Sequence, residues 1–332
     1  MAQNKKLTGR VMKKTCLVTG GAGFLGSHVS TRLLAQGHRV VAVDSLQTGR
    51  RENLAAIMSN PDFGFVEADV RAPLPDIAFD ELWNLACPAS PPAYQADPVD
   101  TMMVNVLGMK NVLDHARAHG GRVFQASTSE VYGDPEVHPQ TESYRGAVNT
   151  IGPRSCYDEG KRAAETLCFD YNRQYGTEIK IVRIFNTYGP NMDPADGRVV
   201  SNFIMAALKG EPLEIYGGGS QTRSFCYADD LVDGFFHLMR SDASIMGPVN
   251  MGNPGEFTIR QLADVVLEMT GSQSALVDRP LPQDDPLQRR PDISLAGELF
   301  GWSPKIDLRE GLARTIPYFA QYVSAPTQTE AA

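Results

Sequence analysis

Residues Leu17–His28 read LVTGGAGFLGSH. The stretch begins as a buried strand, passes through Gly20, Gly23 and Gly26, and continues as a helix. Each glycine has a separate job in such a turn. One makes the tight bend, one lets a pyrophosphate approach the backbone, and one lets helix and strand pack closely. The helix start then presents free N–H groups and the positive end of its dipole to phosphate oxygens. The spacing is G-x-x-G-x-x-G rather than G-x-G-x-x-G, so the glycines need support from their surroundings. Asp44, closing the next strand, supplies it. A carboxylate there accepts hydrogen bonds from a ribose 2′-hydroxyl and repels a 2′-phosphate, which favours NAD over NADP. Phe24, Leu25, Thr48, Gly49 and Leu85 join the same expected cofactor wall, and Asp69-Val70 is placed to hold the adenine.

Outward from this turn, strand-length apolar runs alternate with helical periods. Thr15–Thr19, Arg39–Asp44, Gly64–Asp69, Glu81–Ala86, Arg122–Thr128 and Lys180–Asn186 read as strands. Phe24–Gln36, Val99–Ala118 and Tyr157–Tyr175 read as helices. Such alternation predicts an α/β fold, a doubly wound parallel sheet of Rossmann type. After residue 187 glycine and proline become frequent, as in Gly217-Gly218-Gly219 and Gly252-Asn253-Pro254-Gly255. The expected division is an NAD-binding domain over 14–187 and a smaller, mainly substrate-binding domain over 188–320, with the chain crossing back later. Residues 1–13 and 324–332 are expected to be flexible. Val99–Ala118 is apolar nearly all round, so a second surface should cover its outer side. A homodimer is the expected arrangement.

The bulk numbers exclude other classes. In 332 residues the net charge is −8, without the basic stripe of a nucleic-acid binder. No apolar run approaches the roughly 20 residues of a membrane span. The N-terminal segment lacks the apolar core of a signal peptide, and a cytoplasmic location is expected. The five cysteines are scattered and odd in number, which fits a reducing compartment. The histidines show no metal-ligand spacing, and no metal is assigned.

Tyr157 and Lys161 stand as Y-x-x-x-K, one helical turn apart on one face. A free phenol ionises near pH 10, so bringing it to neutrality takes roughly 4 kcal/mol of differential stabilisation. A partly buried lysine plus the positive nicotinamide ring is expected to provide it. The hydroxyls and carboxylate of Thr128-Ser129-Glu130 end a strand, where a parallel sheet faces its ligand crevice. Thr128 is positioned to bond a substrate hydroxyl beside Tyr157. Together these groups resemble the extended short-chain dehydrogenase/reductase superfamily.

The resemblance narrows. STSEVYGDPEVHPQ (127–140), GPRSCYDEGKRAAET (152–166), RIFNTYGPNM (183–192), DGRVVSNFI (196–204), YGGGSQTRSF (216–225) and QDDPLQRRPDI (283–293) are similar to the UDP-glucuronate decarboxylases, or UDP-xylose synthases. The similarity runs from about residue 14 to about 320. It implies NAD-dependent oxidation of C4 of UDP-glucuronate, loss of CO₂ from the resulting β-keto acid, and formation of UDP-xylose or release of the UDP-4-keto-pentose. It implies Tyr157 as base, Lys161 as its tuner, Thr128 as helper, and Ser129, Glu130 and Arg289 at the decarboxylation step, with Glu130 handling protons near C5. For the substrate it implies Asn186, Arg198, Asn202, Tyr216, Arg223 and Arg289, with Tyr216 stacked on uracil and guanidinium forks on phosphate and carboxylate. The similar nucleotide-sugar 4,6-dehydratases carry Asp-Glu where this chain has Ser129-Glu130; they need an acid to expel water, whereas CO₂ leaves without one. A 4-epimerase, a 4,6-dehydratase and a non-catalytic NAD-sensing protein are the alternatives. The chain departs from the family at Met103-Val104, where Lys-Thr is usual, at Arg145, where tryptophan is usual, and at Thr150, where proline is usual.

Overall fold

The computed structural model describes residues 12–281 and 288–324. The expected flexible termini, 1–13 and 324–332, lie almost wholly outside the described residues. Seven strands form one parallel sheet: β1 Thr15–Thr19, β2 Arg39–Asp44, β3 Phe63–Glu67, β4 Glu81–Asn84, β5 Arg122–Thr128, β6 Ile179–Ile184 and β7 Val249–Met251. Their spatial order is β7-β6-β5-β4-β1-β2-β3. The order reverses between β1 and β4, and the crevice at the strand ends there is where ligands bind in open α/β sheets. β7 returns to the sheet long after the sixth strand, pairing with β6 from Val249 opposite Val182 to Met251 opposite Ile184.

Alternate residues of each strand feed opposite faces. Along β1, Cys16 and Val18 enter a core with Val29, Leu33, Trp83 and Phe124, while Leu17 enters one with Val41, Leu82, Val112 and Val123. Helix α1, Phe24–Ala35, covers the first face and a helix over Met109–His119 covers the second. A third core, with Phe203, Ile204, Leu213, Ile215, Leu262 and Phe319, sits among the later helices.

Three strands end earlier than their sequence suggests. β3 stops at Glu67, β4 at Asn84 and β6 at Ile184. At β3 the cause is local: the Asp69 carboxylate accepts the Arg71 N–H at 2.8 Å, turning the chain away from the ladder. Val99–Ala118 also differs from a plain α-helix. It is helical over Pro98–Met103 and Met109–His119, joined by a π-helical turn over Val104–Gly108. Its inner side is buried, while Val99, Met103 and Leu107 are exposed in the single chain.

Three short ladders build the wall opposite the sheet. Thr222–Ser224 lies between Glu256–Thr258 and Gln288–Arg289, and it runs parallel to the latter, with Arg223 opposite Arg289. Leu213–Tyr216 pairs in parallel with Leu276–Arg279, and Thr187–Tyr188 pairs with Cys226–Tyr227. Among the described residues no helix is long and apolar enough to cross a membrane.

Candidate active site

One cleft of about 1530 Å³ runs from the glycine turn to the Arg223–Arg289 ladder. Every site residue singled out in the sequence lies on its wall. The glycine end is set by close approach. Gly20 has φ +69°, and a Cβ there would meet the Leu85 carbonyl at 2.6 Å. A Cβ on Gly26 would collide with the Gly20 carbonyl oxygen. Helix α1 starts at Phe24 without a side-chain cap and without an acidic residue in its first turn, so its N–H groups face the cleft unopposed. Asp44 is buried and accepts the N–H groups of Ala22 at 2.9 Å and Leu46 at 2.8 Å. Burial raises its carboxyl, against those backbone bonds. Asp69 pairs with Arg71 through Nε at 3.0 Å to both carboxylate oxygens.

In the middle of the cleft, β5 ends at Thr128 and a 3-10 turn, Ser129–Tyr132, follows. The Thr128 hydroxyl accepts the Glu130 N–H at 3.2 Å, so this tip is also a local cap. The helix Ser155–Tyr175 brings Tyr157 and Lys161 beside it, both buried. Lys161 Nζ donates to the Ala126 carbonyl at 3.0 Å and lies 5.7 Å from the centre of the Tyr157 ring. Burial pushes the Tyr157 phenol well above its ordinary value, and the nearby Cys87 thiol adds to this; the Thr128 hydroxyl and then Arg198 favour the phenolate. With Lys161 committed to a carbonyl, the protein alone keeps this tyrosine protonated.

At the far end Glu130 is gripped by two guanidinia. Arg154 Nη2 reaches its carboxylate oxygens at 3.2 and 3.1 Å. Arg289 forks onto both oxygens, Nη1 to Oε1 and Nη2 to Oε2, the latter at 2.9 Å. Burial alone would raise the Glu130 carboxyl; the Arg289 and Arg154 charges outweigh it and hold it at about 2. In this resting arrangement Glu130 is held as an ionised carboxylate between the two guanidinia. Burial and then the Glu130 charge push the neighbouring Asp158 up to about 8.

Arg198 pairs with Asp196 through Nε at 2.5 Å and Nη2 at 2.8 Å. Asn202 donates to the Gly197 carbonyl at 2.9 Å. Tyr216, half-exposed at the rim, donates to Glu214 at 3.0 Å. Sequence reading missed Arg154, Asp158 and Tyr94. Tyr94 stacks on Tyr157 with ring centres 4.9 Å apart and planes at 8°. Arg154 and Asp158 flank Tyr157 within its own motif, and the helical period through that tyrosine carried the signal. Of the departures, Val104 lies on the cleft wall; Met103, Arg145 and Thr150 do not.

A family model described as the NAD dependent epimerase/dehydratase family matches residues 16–252. Over 309 residues the chain is 51% identical to UDP-glucuronic acid decarboxylase 1 of Danio rerio, covering 93% of this chain and 73% of that protein. Over 297 residues it is 54% identical to UDP-glucuronic acid decarboxylase 6 of Arabidopsis thaliana, covering 89% and 86%. The chain belongs to the NAD-dependent epimerase/dehydratase family, among the UDP-glucuronic acid decarboxylases. Solved relatives share the family fold at lower identity. UDP-glucuronic acid 4-epimerase from Bacillus cereus, in complex with UDP-glucuronic acid and NAD, matches with TM-score 0.83 at 27% identity, over 93% of this chain and 99% of that one. A dTDP-glucose 4,6-dehydratase from Streptomyces venezuelae matches with TM-score 0.83 at 29% identity, over 92% and 97%.

The family's cofactor is NAD, and the cleft fits it. The glycine turn leaves a cradle that side chains would fill. Asp44 takes backbone N–H groups of Ala22, Leu46 and Gly23, and a carboxylate has about four acceptor sites. Gly20, Gly23 and Gly26 would hold the pyrophosphate, and Asp44 the ribose.

Proposed function

We propose that this chain decarboxylates UDP-glucuronate through a UDP-4-keto intermediate, giving UDP-xylose or releasing the UDP-4-keto-pentose. The observation that carries the reading is the joining of the glycine cradle, Tyr157–Thr128 and the Arg223–Arg289 pair along one continuous cleft. Bound NAD supplies reversible two-electron oxidation at the sugar C4.

The chain's own groups do the rest. Tyr157 takes the proton of the C4 hydroxyl, with Thr128 sharing the hydrogen bond. The phenol stands above its ordinary value, so the positive charge of the occupied cofactor site has to complete its activation. Arg223 and Arg289 bind diphosphate and uronate, and Asn186, Arg198, Asn202 and Tyr216 orient the rest of the nucleotide sugar. Once C4 is a ketone, the C5–C6 bond breaks, its electron pair enters the C4 enolate, and CO₂ departs. Ser129 contributes a hydroxyl where an acid would be needed to expel water, which disfavours the dehydratase alternative. Residues 14–187, with the returning β7, form the NAD-binding part, and 188–320 mainly the substrate part. The exposed Val99, Met103 and Leu107 support a homodimer, and a cytoplasmic location completes the reading.

Incubation with UDP-glucuronate and NAD, followed by mass and NMR analysis, tests it. Loss of CO₂ with formation of a UDP-pentose is expected. Unchanged substrate refutes the assignment, retained mass points to epimerisation, and loss of water to dehydration.

A further inference from the structure

The decarboxylation consumes a proton. A uronate carboxylate leaves as neutral CO₂, and C5 gains a hydrogen in its place. The group on the cleft wall best placed to give it, Glu130, is ionised between Arg154 and Arg289. One helical turn beyond Arg154, which grips Glu130, stands a second carboxyl with no role in the reaction so far. Asp158 is buried at 7% exposure and lies off the cleft wall. Its N–H bonds the Arg154 carbonyl at 3.1 Å, one helical turn back. Among the described residues its Oδ1 has no hydrogen-bond partner, and neither has the buried hydroxyl of Tyr94. Both groups sense the same charges. Asp158 faces Glu130 from the turn after β5, Arg289 from its short strand, and Arg154 and Glu159 from its own helix. Tyr94 faces Arg154, Glu130, Asp158 and Arg289.

We propose that Asp158 is the proton store of this site, a positioning residue that holds for Glu130 the proton taken up when the uronate leaves as CO₂. The inference rests on the decarboxylase reading. When the substrate carboxylate engages Arg289, Glu130 loses part of its grip on that guanidinium and accepts the proton of Asp158, directly or through one water. After the C5–C6 bond breaks, the enolate closes back to the C4 ketone as C5 takes a proton from Glu130. Glu130 is then ionised again, as is Asp158, and Asp158 is recharged from solvent after product leaves. The charges balance throughout. Arg154 and Arg289 face two carboxylates before the step, Glu130 and the uronate, and two after it, Glu130 and Asp158. The step thus exchanges one carboxylate for another beside these guanidinia instead of only removing one. The elevated Asp158 carboxyl is consistent with this storage.

The test compares the full-length, NAD-loaded protein with Asp158→Asn, which preserves shape and removes the acid. Wild-type kcat should fall as pH rises through the Asp158 ionisation. In Asp158→Asn, kcat should drop by about 10²-fold, KM for UDP-glucuronate should stay within about threefold, and that alkaline limb should vanish. An unchanged kcat overturns the proposal. So does a lowered kcat that keeps the same alkaline limb, because a packing defect alone would leave it in place. Should the variant fail to fold, ¹³C NMR of wild-type protein labelled at aspartate carboxyls decides the question. A carboxyl titrating near 8 is expected, and its absence overturns the proposal. A protein that leaves UDP-glucuronate untouched refutes the decarboxylase reading and this inference together. One that releases CO₂ without that titration or alkaline limb refutes the proton store alone.

Discussion

Arg223 and Arg289 stand opposite each other on adjacent parallel strands, both buried in the cleft wall. Register partners in a sheet point to the same face, so two like charges are held side by side, an arrangement that is unfavourable unless anions meet them. Glu130 answers part of that field, since Arg223 as well as Arg154 and Arg289 lowers its carboxyl.

Glu130→Gln should therefore be costly before any chemistry is measured. It leaves Arg154 and Arg289 without their shared carboxylate in a largely buried setting. Removing one partner of such a cluster typically costs about 3–5 kcal/mol. Urea unfolding of both proteins reads the difference, and a loss below about 1 kcal/mol would show that the cluster does little for stability.

Tyr157→Phe should leave the fold intact, because the ring keeps its stack on Tyr94. Turnover should fall by about 10²–10⁴-fold, as for loss of a general base. Circular dichroism alongside a CO₂ assay separates the two effects. Near-normal turnover removes Tyr157 from its proposed role.

Gly26→Ala should abolish tight NAD binding, since the new methyl group meets the Gly20 carbonyl inside the cradle. Gly37→Ala is the control. Its φ is +83°, so alanine is strained there, yet nothing lies within 4 Å of the added carbon. Calorimetric titration with NAD should show a loss above about tenfold for the first and little change for the second. Equal affinities would mean that the turn does not hold the pyrophosphate.

Stability should respond to pH through Asp158. Its carboxyl is raised from 3.8 to about 8 in the folded chain. The folded state thus binds the proton more tightly than the unfolded chain. This contribution is complete below the ordinary value and is lost as pH rises toward the folded one. Asp158→Asn should gain on wild type across that interval, by at least about 3 °C in relative Tm between its acid and alkaline ends. Parallel melting curves with no such divergence contradict the protonated Asp158.

Leu107→Glu addresses the assembly. Val99, Met103 and Leu107 are 71%, 39% and 40% exposed along one helical segment, three apolar side chains left to solvent in the single chain. Light scattering should find the wild type dimeric and the variant monomeric. A monomeric wild type rejects the homodimer.

The sequence by itself determined the fold class, the cofactor and a set of candidate groups that all lie on one cleft wall. Those features are local. A glycine turn between strand and helix, an acid closing the next strand and a Y-x-x-x-K pair each lie within one or two elements, where period and backbone sterics decide geometry. The strand ends were less legible, because a side chain such as Asp69 can pull the chain off its ladder. The π-helical turn at Val104–Gly108 left no mark in the apolar pattern.

Only the tertiary structure decided what the charged groups do. Glu130 and Arg289 lie 159 residues apart in the chain, and no spacing rule announces their fork. Lys161 turned out to be committed to the Ala126 carbonyl, and Asp158 to be buried within the charge field of Glu130, Arg154 and Arg289. Protonation depends on burial and on which charges the fold gathers within a few ångströms, and both are set by contacts distant in sequence.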